Sequence, residues 1–186
     1  MYRTPNKKMK GHNMLKTSIL TAATVAALTV FAANAQAANA PQSYYQVGGA
    51  AADISGNTFG ALNLGIGHNF TPNFAVELDG DVGVTTKKIY GVNAKIDYAV
   101  GAYAVGVFPL NPSTDFIVRA GDLQAQLKAS YQGYSATASA NGPAIGVGLR
   151  YFPGAGVNGV RGDITHYDFG DKGKGEIYQI AYIRKF

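Results

Sequence analysis

The stretch IYQIAYIRKF, Ile177 to Phe186, decides the fold of this chain. Read in steps of two, Tyr178, Ile180, Tyr182, Arg184 and Phe186 share one face, and Ile177, Gln179, Ala181, Ile183 and Lys185 share the other. The first face is aromatic and apolar apart from Arg184; the second is smaller and mixed. Alternation at period two marks a strand whose two sides meet different solvents. Water is a poor surrounding for a strand that ends on a bare Phe. In a membrane barrel the apolar face looks out to lipid and the small or polar face looks in. A terminal Phe then sits at the interface, and the long stem of Arg184 lifts its charge toward the headgroups.

The other end of the chain reads as a targeting segment. Lys7, Lys8, Lys10 and Lys16 form a basic stretch, Ile19 to Ala32 is an apolar run, and small-residue triplets follow at 33–35 and 35–37. That order predicts a cleavable signal peptide over residues 1–37 and a mature domain over 38–186, with Met14 as an alternative start to Met1. The apolar run is too short to span a bilayer comfortably as an anchor. Five of the 16 basic residues and none of the 11 acidic ones precede residue 38, so the mature part holds 11 of each and is formally neutral. The basicity of the whole chain therefore belongs to the leader, and nucleic acid is not an expected partner. An exported chain without Cys takes its stability from burial or from closure of a sheet rather than from disulfides. No helix-length apolar run follows Ala40, so any membrane crossing is by strands.

Turn residues cut the mature chain into eight alternating segments. In the second, Leu62, Leu64, Ile66 and Phe70 face away from Asn63, Gly65 and Gly67. In the third, Phe74, Val76, Leu78, Val82 and Val84 alternate with Glu77, Asp79 and Asp81. The fourth, from Tyr90 to Phe108, places Val92, Ala94, Ile96, Tyr98 and Val100 outward and Asn93, Lys95 and Asp97 inward. Arg119, Arg150, Arg161 and Asp163 fall on the inward faces of later segments. The expected interior charge set is thus Glu77, Asp79, Asp81, Asp97 and Asp163 against Lys95, Arg119, Arg150 and Arg161. Unpaired buried charge is costly, so these residues are expected to pair as a plug. Eight strands leave an interior that side chains fill, which argues against an open pore.

The connections alternate in kind. Those at 70–74, 108–116 and 152–159 contain Pro and are flanked by Phe; those at 53–57, 85–89, 122–142 and 168–175 have no Pro, and several carry Lys. Short turns with an aromatic girdle at one end and longer polar loops at the other are the pattern of the periplasmic and extracellular sides of a barrel. Phe70, Phe74, Phe108, Phe116, Phe152, Tyr182 and Phe186 are the expected girdle, and the termini are expected on its side. Within the longest connection, 122–142, Tyr131 and Tyr134 are the expected contact aromatics of a flexible or strand-extended loop.

Four stretches together carry a family resemblance: GHNFTPNF at Gly67 to Phe74, the segment Ala75 to Asp81, IGVGLRY at Ile145 to Tyr151, and the terminal strand. With these the chain resembles the eight-stranded outer-membrane β-barrels of the OmpA, OmpX and opacity-protein type over Tyr44 to Phe186. Arg184 stands where a Tyr or large apolar residue is usual in their closing strand. The resemblance implies an all-β fold, an antiparallel up-and-down transmembrane barrel in the bacterial outer membrane, probed from outside through its loops. It also implies outer-membrane lipid and lipopolysaccharide as surroundings, and the outer-membrane insertion machinery as a partner of the terminal strand. The chain is expected to be a monomer with a surface ligand that the sequence does not name. The peptidoglycan-binding domain that follows some such barrels is not expected here.

Catalysis has little support. Some barrels of this size deacylate lipid A with a Ser, a His and an acid, and a nucleophile must reach its base. His166 has Asp168 nearby but only Thr165 and Tyr167 beside it, and His68 lies at the Phe-rich end. Two His in the mature chain and no Cys give no metal-ligand spacing. The glycines near 146–148 and 154–156 lack a phosphate-loop Lys-Ser/Thr, and the acids of 168–176 fall short of a Ca²⁺ loop. No catalytic residue, cofactor or metal is expected. The reading is a non-enzymatic envelope protein with structural and surface-interaction roles. The alternatives are a porin-like channel for small solutes and a soluble, lipocalin-like periplasmic barrel.

Overall fold

The structure is a computed structural model that describes residues 42–54, 56–89, 91–132 and 134–186. The expected signal peptide, residues 1–37, lies outside the described residues. Nine strands follow one another: β1 Gln42–Ile54, β2 Asn57–Thr71, β3 Phe74–Gly83, β4 Lys87–Ile89, β5 Val92–Asn111, β6 Thr114–Tyr131, β7 Tyr134–Tyr151, β8 Asn158–Asp168 and β9 Lys174–Lys185. All pairings are antiparallel between sequence neighbours, except that β1 closes on β9 and β3 pairs with β5. The ring is therefore an eight-stave up-and-down barrel, with β4 continuing the stave of β3 beside β5. At the break, Val84 donates to the Gly60 carbonyl and the Thr85 hydroxyl accepts from the Gly60 amide, so the chain leaves the ring without an unpaired backbone group there.

Burial follows the alternation with its sense inverted from a soluble protein. Leu62, Leu64, Leu78, Val82 and Ile180 are exposed outside, while Arg119, Arg150 and Arg161 are no more than 2% exposed inside. A lipocalin-like barrel needs the opposite arrangement, so the soluble alternative is corrected by the direction of the side chains. Inside, two apolar layers flank a polar middle. Ala52, Phe59, Ile96, Leu123 and Ile177 fill the end away from the termini; Ala75, Val105, Ile117, Phe152 and Ile183 fill the terminal end.

Of the two forms expected for the segment 122–142, flexible or strand-extended, it takes the second: it is the far parts of β6 and β7, paired residue by residue up to Tyr131 opposite Tyr134. Small and β-forming residues keep the ladder running well past the last β8 partner, which meets β7 at Ala144. The fourth segment carries a bulge between Ile96 and Tyr98 against β6. One extra residue reverses the faces of everything beyond it. Ile96 is consequently buried inside, whereas Lys95 and Asp97 lie on the outer side as a half-exposed ion pair at 3.6 Å.

Candidate functional site

The polar middle of the barrel is the densest constellation of charge in the described chain. β3 delivers Glu77, Asp79 and Asp81 on alternate positions, β6 delivers Arg119, and β8 delivers Arg161, Asp163 and Thr165. Arg161 donates from Nη1 and Nη2 to Glu77 Oε1 and Oε2 at 2.5 and 3.1 Å, and from Nε to Asp163 Oδ2 at 2.8 Å. Arg119 pairs with Asp79, lies 2.9 Å from Asp163 Oδ1, and donates from Nε and Nη2 to Thr165 Oγ1. Its guanidinium also lies 4.3 Å from the Tyr103 ring centroid, within the range of a cation–π contact.

Four carboxylates against two guanidiniums leave an excess of negative charge, which neutral donors absorb. Tyr44 donates its hydroxyl to Glu77 at 2.5 Å, Gln46 donates to Asp79 at 2.9 Å, and Asn63 donates to Asp81 at 2.9 Å while accepting from Gln179 at 2.8 Å. Hydrogen bonds to a charged acceptor are the stronger kind, and a buried ion set is tolerable only when its remaining lone pairs are met in this way. Glycine makes the room: a methyl group added at Gly67 would collide with the Tyr44 ring, and one at Gly65 with Asp79 and Gln46. The arrangement binds the staves to one another across the lumen.

The structure thus brings together Glu77, Asp79, Asp81, Arg119, Arg161 and Asp163. It leaves Lys95 and Asp97 outside, for the reason given above. Arg150 belongs to a separate, lower group: its Nη2 donates to Asp115 Oδ2 at 3.1 Å, beside Tyr44. Tyr44, Gln46, Tyr103 and Thr165 join the network at inward parity, as do Asn63 and Gln179; being neutral, none of them carries the charge signal that marks the ionic members in the sequence.

At the terminal rim, Phe70 stacks on Phe74 with centroids 6.0 Å apart, Phe108 lies 6.2 Å from Phe116, and Tyr45 lies between Tyr182 and Phe186 at 6.3 and 6.2 Å. Phe152 is not part of this outer ring. It is buried, its neighbour Tyr151 takes the outward position, and Lys185 sits 3.7 Å over its ring. The odd–even alternation of β7 carries on through that residue, so Phe152 caps the lumen. Tyr131 and Tyr134 are exposed at the tip of the β6–β7 hairpin.

The histidines have ordinary partners. His166 Nδ1 lies 3.0 Å from Glu176 Oε1 across β8 and β9, and His68 Nδ1 lies 2.9 Å from Ser43 Oγ across β1 and β2. The second pair was not seen in the sequence because its members are far apart in the chain. It has its imidazole edge against Phe70 rather than an orienting carboxylate.

Among proteins with curated descriptions, none matches this chain significantly. Solved structures do. The attachment invasion locus protein Ail of Yersinia pestis superposes with a TM-score of 0.61 at 17% identity, covering 78% of this chain and 99% of that one. The N-terminal β-barrel domain of Pseudomonas aeruginosa OprF gives 0.62 at 14%, covering 78% and 97%. Neisserial surface protein A gives 0.60 at 14%, covering 81% and 100%. At these identities the likeness is one of fold. The family model for the outer membrane protein beta-barrel domain matches residues 23–186. A ring of strands with lipid-facing aliphatics outside and paired charges inside agrees with that match, and the chain belongs to the outer membrane protein beta-barrel domain family.

Proposed function

We propose that this protein is a non-enzymatic outer-membrane barrel that meets the cell's surroundings through the β6–β7 hairpin, with both termini in the periplasm. The observation that carries the reading is the hairpin itself. β8 pairs with β7 only from Ala144 onward, and the part of β7 from Tyr134 to Ser139 is exposed throughout, beyond the last β8 partner at the end opposite the termini. Its tip presents Tyr131 and Tyr134, amphipathic rings suited to an interface. A packed, ion-paired lumen supports a structural rather than a conducting role.

Lipopolysaccharide is the proposed neighbour of the outer face at the same end. Lys95 and Lys128 stand directly opposite each other on that face; like charges so placed repel, Asp97 meets Lys95, and a lipid phosphate is the proposed counter-ion of Lys128. The terminal strand is the proposed contact for the insertion machinery, and the barrel is proposed to act as a monomer.

The chain has no Cys, so single cysteines report position without background. In intact cells a membrane-impermeant maleimide should label Tyr134→Cys, while Gly154→Cys should react only after the outer membrane is opened. The reverse pattern refutes the orientation. Trimming the hairpin tip should then abolish attachment of cells to surfaces while leaving envelope integrity unchanged; loss of integrity with unaltered attachment refutes the surface role.

A further inference from the structure

We propose that the terminal mouth of the barrel is a binding site for a small oxyanion, a phosphate or a carboxylate, held by Arg150 and Lys185. The Arg150 side chain is 2% exposed, yet only its Nη2 has a protein acceptor, Asp115 Oδ2; its Nε and Nη1 make no hydrogen bond. The Tyr44 ring, 5.3 Å away, attracts the guanidinium through its face but offers no in-plane acceptor. On the other side of β7 the residue in register with Arg150 is Arg161, whose own N–H groups are committed to Glu77 and Asp163. Buried N–H groups of a cation are costly to leave unmet, and each calls for an acceptor.

The second cation has no carboxylate of its own. Lys185 is half-buried over the Phe152 ring, and among the described residues no acidic side chain lies within ion-pair distance of it. Arg150, Lys185 and Asp115 line one cavity of about 220 Å³, together with Asn69, Thr71 and Asn111. That is several times the roughly 30 Å³ share of one liquid water, enough for an oxyanion and a residual shell. Two cations face one carboxylate, so the mouth carries a net positive charge, and Asp115 holds the guanidinium in place. The Thr71 hydroxyl and the Asn111 amide supply neutral donors of the kind small oxyanions also take, while the Asn69 amide donates to the Gln42 carbonyl. An oxyanion bound between Arg150 and Lys185 meets both unsatisfied groups at once by charge-assisted hydrogen bonds. The site does not depend on which way the barrel points in the membrane.

The test is titration of the purified barrel in detergent micelles with inorganic phosphate and, separately, acetate, reading the arginine Nε–H resonance of Arg150. Chloride at matched ionic strength controls for screening, and the heat-shift gel controls for folding. Saturable movement with phosphate alone assigns the oxyanion as phosphate, and with acetate alone as a carboxylate; either supports the site. Lys185→Gln should weaken binding about tenfold, the loss expected for one charge-assisted hydrogen bond, and Lys185→Arg should restore it. Absence of saturation with both anions, a chloride response of equal size, or unchanged affinity in a folded Lys185→Gln variant overturns the proposal.

Discussion

Replacing Arg161 by Met tests the reading of the barrel interior most directly. The substitution removes three hydrogen bonds to two carboxylates, Glu77 and Asp163, in a layer that water does not reach. Met fills much of the vacated volume, so the loss is chiefly electrostatic. Removing one partner of a buried pair costs about 3–5 kcal/mol. The loss is expected at the low end of that range, about 3 kcal/mol, because Tyr44 still donates to Glu77 and Arg119 stays within 3.7 Å of Glu77 and 2.9 Å of Asp163. The assay is urea unfolding of the refolded barrel, followed by circular dichroism and by the gel shift between heated and unheated samples. The double variant Arg161→Met with Glu77→Gln should recover part of the loss, because it strands one charge fewer. A single variant within about 0.5 kcal/mol of the parent, the range of ordinary surface changes, refutes the account of a paired interior.

Deleting Asp97 should be tolerated at a cost below about 1 kcal/mol, the worth of an exposed ion pair. The deletion turns the bulged β5 into a regular strand that keeps Ile96 and Ala99 inside, and an unfolded product would contradict the bulge. Ala155 holds a φ of 54° in the turn after Phe152, a left-handed conformation that costs a side-chain-bearing residue about 1 kcal/mol. Ala155→Gly should therefore raise the temperature of the gel shift, and a lowered one speaks against that turn geometry. In planar bilayers the barrel should show no large steady conductance; a stable aqueous current would require the Arg119 and Arg161 layer to be open.

The closing strand made the fold legible, because a strand with lipid on one side and a crowded lumen on the other writes its environment into alternate residues. Glu77, Asp79 and Asp81 were readable for the same reason: three acids on one face of a strand need cations, and Arg119 and Arg161 stand at the same parity. The bulge at Asp97 was not readable. An inserted residue leaves no chemical mark of its own, and Lys95 and Asp97 look as suited to a lumen as to a rim until the register of β6 is known. The neutral half of the network escaped for another reason. Gln46, Asn63 and Gln179 matter through partners far away in the chain, and that geometry exists only after closure. Phe152 shows the limit of a composition argument: its place beside Pro153 resembles the other Phe-flanked turns, while strand parity turns it inward.

The interior network also bears on how such a barrel is made. Arg161 reaches Glu77 across 84 positions of chain, and Gln179 reaches Asn63 across 116. Neither bond can form within a growing hairpin, since one joins β8 to β3 and the other joins β9 to β2. In a partly assembled sheet lying in lipid Arg161 would keep Asp163 on its own strand but Glu77 would lack its guanidinium, which raises the energy of the incomplete ring. Assembly thus gains the cross-lumen part of its electrostatic reward late, as β9 meets β1. Insertion of this chain is in that sense a single committed event, with the lumen acting as the catch that locks once the circle is complete.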